Sequence, residues 1–596
     1  VARRAASQPS NRVFHPHSLR EYALIADGER GALVGPTGNI SWMCAPNWHS
    51  PGVFSTLIGG DGFFVLRPTA SRFVWGGRYE DGSLIWHNRW VSDDAIVETR
   101  EALALPGDPH TAVILRRVMP VNGDAHVLAE LDVRADFGRY RMTRPHNNNG
   151  VWRMRSGPLY IRLSGAADAR IEDDGALQVE IDVAEGDHHD LVLEISDHAL
   201  TEPPVDPVAA WEATAHTWRK SVPLMRNTLA DRDSAHSYAV LRGLTKLGGG
   251  MVAAPTMALP ERAHRDRNYD YRFSWIRDQC YAGIAVAATG GHPLLDDALR
   301  FVSERILTDG PDLKPAYTTS GDPVPDEEHL ELPGYPGGRP KTGNWVNKQF
   351  QLDVFGDALL LFAEGARLDR LDVVQWHAVE ATVSAIEKRW QEPDAGIWEI
   401  DNAKWAHSRL NCAAGLRAVG AVAPAPQAAV WNHLADVIVA DTSSECLHST
   451  GRWQRAPDDT RVDAALLIPL VRGAVAENDP RTLATLDAVR RELCADGYVY
   501  RFRQDPRPLS DAEGAFLLCG YVMAWATHQQ GNDVEALRLF ERNRAACGPP
   551  GLFTEEYDVD QRQMRGNVPQ AFVHAVMLES AHRLADLDPA DKETAS

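Results

Sequence analysis

The stretch DVFGDALLLFAEG (Asp353–Gly365) is followed, across a short connection at Leu368–Arg370, by LDVVQWHAVEATVSAIEKRW (Leu371–Trp390). The first segment is apolar nearly all round, as a helix buried on every side should be. The second carries a single apolar stripe, as a helix with one wet face should. A connection of only a few residues makes two such helices antiparallel neighbours.

The same alternation runs outward in both directions. Twelve helical segments are predicted to begin near Asp233, Trp275, Pro293, Trp345, Leu371, Ala406, Pro426, Val462, Asp479, Asp511, Asn532 and Asn567. Connections after even-numbered segments are short, as at Gly290–His292 and Gln530–Gly531; those after odd-numbered segments are long. Even segments such as WIRDQCYAGIAVAATG (Trp275–Gly290) and AEGAFLLCGYVMAWAT (Ala512–Thr527) are apolar all round, whereas NDVEALRLFERNRAA (Asn532–Ala546) is striped. Six inner and six outer helices predict a closed (α/α)6 barrel whose odd-to-even loops all emerge at one end.

Before the helices the chain reads as β. GFFVLRP, SRFVWGG, TAVILRRV, AHVLAELDV, LYIRLSG, ALQVEIDV and DLVLEISD recur between turn signals, which predicts an N-terminal antiparallel β-sandwich. The expected domains are a sandwich over 1–205, a proline-marked linker helix over 206–230 and the barrel over 231–590.

Composition narrows the function. The 596 residues carry a formal net charge of −21, with 82 acidic against 61 basic residues and no basic block interleaved with aromatics. Nucleic acid and anionic membrane are therefore poor partners. Seven scattered cysteines without a CxxC pair point to a reducing compartment, by default the cytoplasm. No apolar run approaches the roughly 20 residues that span a bilayer. There is no HExxH or spaced His/Asp set for a catalytic metal, no GxSxG elbow, and Gly248–Gly250 lack the Lys-Ser/Thr of a phosphate loop.

The long loops carry the candidate chemistry. PDAGIWEIDNAKW (Pro393–Trp405) holds Glu399 after Trp398. GLFTEEYDVDQRQMRGNVPQAFVH (Gly551–His574) holds Glu555 and Glu556, ahead of a helix that Asn567 is expected to cap with Pro569 in its first turn. Two fixed carboxyls on facing loops are the minimum machinery for cleaving a glycosidic bond by acid and base. A sugar also needs charged groups for its hydroxyls and aromatic walls for its C–H faces. The first long loop offers Tyr271, Trp275, Arg277 and Asp278, and the second offers Arg339, Asn344 and Trp345. Trp48, Trp405 and Trp453 are read as packing.

The runs MVAAPTMALPERAHRDRNYDYRFSWIRD, GYPGGRPKTGNWVNKQFQLDVFGDAL, GIWEI and GLFTEEYDVDQRQMRGNVPQAFVHAVMLESA together resemble glycoside hydrolase family 15, the glucoamylase-like family, and its actinobacterial trehalase branch in particular. LIADGERGALVGPTGNISWMCAPNWHSPGVFSTLIGG resembles the opening of the bacterial members, so the likeness covers nearly the whole chain. It implies an inverting attack on an α-linked terminal glucose, that of the disaccharide α,α-trehalose in this branch or of an α-glucan or isomalto-oligosaccharide otherwise.

By the same resemblance Glu399 is the general acid and Glu555 the general base, with Glu556 pointing away. Arg277 and Asp278 grip the terminal glucose over a floor of Tyr271 and Trp275, and Arg339 is the arginine of the Gly-Arg-Pro loop. Trp398 is expected to keep Glu399 neutral, and hydrated surroundings to keep Glu555 charged. For inversion the carboxyls should stand roughly 6.5–9.5 Å apart. The chemistry requires no cofactor; the branch implies phosphate and magnesium dependence and homo-oligomers. The chain departs from the family at NWHSP (Asn47–Pro51) and QRAPDDTRVDAA (Gln454–Ala465), both near the expected mouth.

Overall fold

The computed structural model describes residues 14–262 and 267–585. Two eight-stranded antiparallel sheets form the N-terminal part. One runs, edge to edge, Ala23–Ala26, Gly31–Val34, Asn39–Cys44, Phe63–Pro68, Ala125–Asp132, Leu177–Val183 and Arg170–Ile171, with Gly52–Phe54 beside the third. The other runs Met142–Asn148, Val151–Ser156, Leu159–Ser164, His189–Ser196, Thr111–Asn122, Ile96–Leu103, Trp86–Val91 and Val74–Tyr79. All seven runs expected from alternation are strands, and nine more join them.

Some of the added strands are hidden by charges that lie inside the sandwich. Arg116 and Glu101 pair at 3.0 Å with both side chains fully buried. The Arg116 guanidinium also donates to the carbonyls of Phe64 (2.8 Å) and Gly38 (2.6 Å) on the opposite sheet. These bonds offset the desolvation of the buried pair through both terminal nitrogens, while the Arg116 Nε has no hydrogen-bond partner among the described residues, and the pair breaks the polar-out, apolar-in pattern.

Helix α1 (Pro207–Ser221) follows, capped by the Asp206 carboxylate on Ala209 N–H and burying Trp211 and Trp218. Twelve barrel helices come next, with one short turn of helix among them. The first six are α2 (Asp231–Leu244), α3 (Ile276–Thr289), α4 (Pro293–Asp309), α5 (Asp353–Arg367), α6 (Val373–Arg389) and α7 (Ala406–Gly420). Then come α8 (Ala425–Cys446), α9 (Leu467–Val471), α10 (Pro480–Leu493), the short α11 (Leu509–Ala512), α12 (Leu517–Gln529), α13 (Asp533–Arg544) and α14 (Ala571–Arg583). Helices α3, α5, α7, α9, α12 and α14 each pack on the next, and α14 packs back on α3, so the inner ring closes. The chain is thus a β-sandwich followed by an (α/α)6 barrel. Glycine permits the close approach of two inner helices: a Cβ on Gly356 of α5 would stand 2.4 Å from the Asn411 carbonyl of α7.

Four inner helices begin later than the pattern predicts. Trp345–Lys348 is a separate 3-10 turn, and Leu467 and Leu517 replace Val462 and Asp511 as starts. Asn567 does not cap α14, because its amide is used elsewhere: it donates to the Tyr269 carbonyl (3.0 Å) and accepts from Thr256 Oγ1 (2.9 Å). The chain stays extended through Pro569 until Ala571, whose N–H donates to the Ala253 carbonyl at 2.8 Å. All seven cysteines are free, and no helix among the described residues is long and apolar enough to cross a membrane.

Candidate active site

A cavity of about 450 Å³ opens among the odd-to-even loops. Both expected carboxyls line it, together with Tyr271, Trp275, Arg277, Asp278, Asn344, Trp345 and Trp398.

The loop bearing Glu399 is held from beneath. Asp394 Oδ1 accepts from Gly396 N–H (2.8 Å), Ser408 Oγ (2.9 Å) and Leu352 N–H (3.3 Å). Gly396 has φ +64°, and a Cβ there would stand 2.7 Å from the Trp405 ring, so no side chain fits. Glu399 itself has φ +53°, a left-handed conformation that costs a non-glycine residue of order 1–3 kcal/mol and persists only where surrounding contacts impose it. Its Oε1 accepts from Trp275 Nε1 at 2.8 Å and lies 3.4 Å from Arg277 Nη2. Trp398 does not supply the shielding expected of it. Its indole N–H donates to Asp463 (2.9 Å) and its ring meets Phe516 edge-on, 5.0 Å between centroids.

Glu555 is reached through the same aromatic pair. The Tyr271 and Trp275 rings stand 5.6 Å apart, and the Tyr271 hydroxyl donates to Glu555 Oε2 at 2.9 Å. Each carboxyl therefore grips one end of a shared aromatic unit. The surroundings of Glu555 are not hydrated: it is 7% exposed and Glu556 0%. Glu556 is absent from the cavity wall; its carboxylate accepts from Gly514 N–H (2.9 Å) and lies 3.4 Å from Arg501 and 3.6 Å from Arg267. Four carboxyls, Glu261, Glu513, Glu555 and Glu556, thus share two guanidiniums. Arg501 goes to Glu513 at 2.6 Å and Arg267 to Glu261 at 3.0 Å. That leaves Glu555 with a phenol. Burial, followed by the charges of Glu261 and Glu556, pushes its carboxyl well above the usual range.

Arg277 and Asp278 occupy the first turn of α3, and both are buried. Arg277 pairs with Glu399 and donates to Gln351 Oε1 (3.2 Å), rather than closing on its neighbour. Asp278 Oδ1 accepts from Gln570 at 3.4 Å, and burial raises its carboxyl to about 7. Asn344 caps the turn that carries the half-exposed Trp345. Arg339 does not line the cavity: its side chain is exposed, and Asn268 clamps its backbone N–H (3.2 Å) and carbonyl (2.5 Å).

The wall also contains Arg455 and Arg461, from the seventh-to-eighth loop, and Arg501 and Gln504, from the ninth-to-tenth. The alternation of loop lengths already directed those loops to this end. Arg455 and Arg461 lie in the Gln454–Ala465 stretch expected near the mouth, whereas nothing in the local sequence of Arg501 and Gln504 resembles a motif. NWHSP does not line the cavity; Arg272, paired with Asp270 at 2.7 Å, donates to the Ser50 carbonyl and docks that turn on the barrel. Trp48, Trp405 and Trp453 are buried and outside the cavity wall.

A sandwich leading into an (α/α)6 barrel, with two carboxyls in one rim cavity, defines a class of carbohydrate-cleaving enzyme. Residues 236–582 match glycosyl hydrolases family 15, and the chain belongs to that family. Residues 14–218 match the trehalase-like N-terminal domain. A trehalase of Mycolicibacterium smegmatis is 27% identical over 622 residues, covering 97% of this chain and 92% of that protein. An isomaltose glucohydrolase of Kribbella flavida is 26% identical over 319 residues, 51% of this chain and 77% of that one. A bacterial glucoamylase complexed with acarbose shares the fold, with a TM-score of 0.69 at 14% identity, covering 98% of this chain and 97% of the other.

Proposed function

We propose that this family 15 glycosidase hydrolyses α,α-trehalose to two glucose molecules with inversion. The observation that carries the reading is the pair of carboxyls held at opposite ends of the Trp275–Tyr271 unit within one cavity. The full-length likeness to proteins named trehalase supports the substrate.

Glu399 donates a proton to the glycosidic oxygen. Oε2 is the oxygen left free to carry that proton in the step, since Oε1 is taken by Trp275 and Arg277. Glu555 accepts a proton from the attacking water. Its raised pKa makes it the stronger base, and such proton transfers contribute about 10²–10⁴-fold each. Tyr271 holds Glu555 by Oε2, and Asp278 and Arg277 stand where sugar hydroxyls bind.

Among the described residues one cluster of three His, Cys, Asp or Glu side chains is close enough to share a metal ion, His110, Asp197 and His198, and its two imidazoles do not suit a hard, oxygen-seeking cation such as magnesium. Acid and base catalysis by two carboxyls does not of itself call for a metal ion.

The testing experiment is glucose release from trehalose, maltose, isomaltose and soluble starch, with and without phosphate and magnesium. Trehalose is expected to have the highest kcat/KM. A preference for isomaltose would favour the second reading, an exo-α-glucosidase on the same site, which rests on the Kribbella flavida relative.

A further inference from the structure

The sandwich carries a cluster that has no part in the sugar site. His110 immediately precedes the strand Thr111–Asn122, and Asp197 and His198 immediately follow His189–Ser196. Those strands pair antiparallel with Thr111 opposite Ser196, so the register alone sets His110 beside Asp197.

The backbone there is fixed. Asp197 N–H donates to the His110 carbonyl at 3.3 Å. Thr111 Oγ1 donates to Ser196 Oγ (3.0 Å), which also accepts from His198 N–H (3.1 Å). Asp108 Oδ1 accepts from the N–H groups of His110 and Thr111, each at 2.8 Å.

Three ligand-type side chains converge on this fixed frame. His110 Nδ1 stands 3.2 Å from Asp197 Oδ1, and His198 Nδ1 stands 2.8 Å from the same oxygen. The two imidazoles meet edge to face, 4.2 Å between centroids at 88°. One donor atom from each residue lies within 4.8 Å of the others.

We propose that His110, Asp197 and His198 form a surface site for a divalent transition-metal ion of the zinc class. Tetrahedral bonds of about 2.0–2.1 Å require donors to stand about 3.3 Å apart. The His110–Asp197 separation already meets that, the His198–Asp197 pair needs to open by about half an ångström, and the two imidazole donors, within 4.8 Å of each other, would settle at the same spacing. Two imidazoles and a carboxylate select zinc, nickel or copper(II) over magnesium or calcium. All three residues are exposed, so water completes the coordination shell.

The ion would staple the start of one strand to the end of its partner. It would also brace the Asp108 turn, whose carbonyl accepts from Arg30. Arg30 belongs to the hairpin turn whose Glu29 lies 3.7 Å from Lys246 of the barrel part, so the staple sits beside the sandwich–barrel boundary.

Zinc titration of the untagged full-length protein by calorimetry tests this. We expect one strong equivalent, lost by more than about tenfold in affinity in His110→Ala and in His198→Ala. It should be retained in His126→Ala, which removes an equally exposed His–Asp pair (2.6 Å) that has a single imidazole. Cobalt(II) bound at the same stoichiometry should give the visible absorption of a low-coordinate site, again lost in His110→Ala. Sugar hydrolysis should be unchanged in all three variants, so the result is independent of the glycosidase reading. Unaltered zinc affinity in both His110→Ala and His198→Ala, or equal loss in His126→Ala, would overturn the assignment.

Discussion

Glu399 and Glu555 line one cavity, yet their neighbourhoods are built on opposite principles. Glu399 sits on a strained loop, partly exposed, with an indole N–H and a guanidinium on one oxygen. Glu555 is buried and, among the described residues, pairs with no arginine of its own, because Arg267 and Arg501 are engaged by Glu261, Glu513 and Glu556. On the proposed roles, the contrast teaches that burial among other carboxyls strengthens a base, since even Glu556, which keeps both guanidiniums, is pushed up to about 8.

The largest expected effect breaks the pair outright. Glu399→Gln and Glu555→Gln should each lose about 10³-fold or more in kcat with sugar binding nearly intact, read by steady-state kinetics and calorimetry. Activity of either within about tenfold of wild type would remove that residue from the chemistry. Their melting temperatures at pH 8 should diverge. Glu555 has a raised pKa in the folded state, so its contribution to stability is full below the ordinary carboxylate range and lost as pH rises through the raised value. Replacing it by an uncharged amide should therefore raise Tm at pH 8. Glu399→Gln should not, since it strips Arg277 of its counter-charge.

Arg277→Ala comes next, with about a 10²-fold fall in kcat/KM and a lower Tm, because Glu399 loses its cation and Gln351 a donor. Glu556→Gln should separate stability from catalysis. Burial raises its carboxyl to about 8, so near neutral pH the amide removes no full charge but turns an NH2 toward the Gly514 N–H or the guanidiniums, a cost of about 1–3 kcal/mol seen in denaturant unfolding, while kcat falls by less than about tenfold. An intact Tm with a collapsed rate would mean that Glu556, not Glu555, faces the water.

The smallest change sharpens the comparison. Glu261 is the first-ranked charge raising Glu555, so Glu261→Gln should lower the pKa of the base. The base must be ionised to work, so wild-type kcat/KM falls as pH drops through a limb well above the usual carboxylate range. In Glu261→Gln that limb should move to lower pH. A limb that stays put would show that burial alone sets it.

The barrel was legible because loop length and apolar pattern are local and repeated six times. The carboxyls were legible because their loops carry motifs. What stayed hidden was settled by partners far away in sequence. Asn567 looks like a cap until Thr256 and Tyr269 claim its amide, and Trp398 looks like the shield of Glu399 until its indole turns to Asp463. Arg339 falls in a recognisable Gly-Arg-Pro, but Asn268 holds its backbone with the side chain outside the cavity wall. The four-carboxyl cluster draws Glu261, Glu513 and Glu556 from three separate loops, and no spacing rule joins them.

Proton NMR of the first turnovers of α,α-trehalose tests the central claim most directly. With Glu399 as acid and Glu555 activating water, the attacked ring leaves as β-glucose and the leaving ring as α-glucose, so the anomers should appear near one to one before mutarotation. Two α-glucoses would contradict the account: they would require retention through a covalent intermediate, with Glu555 as nucleophile rather than base.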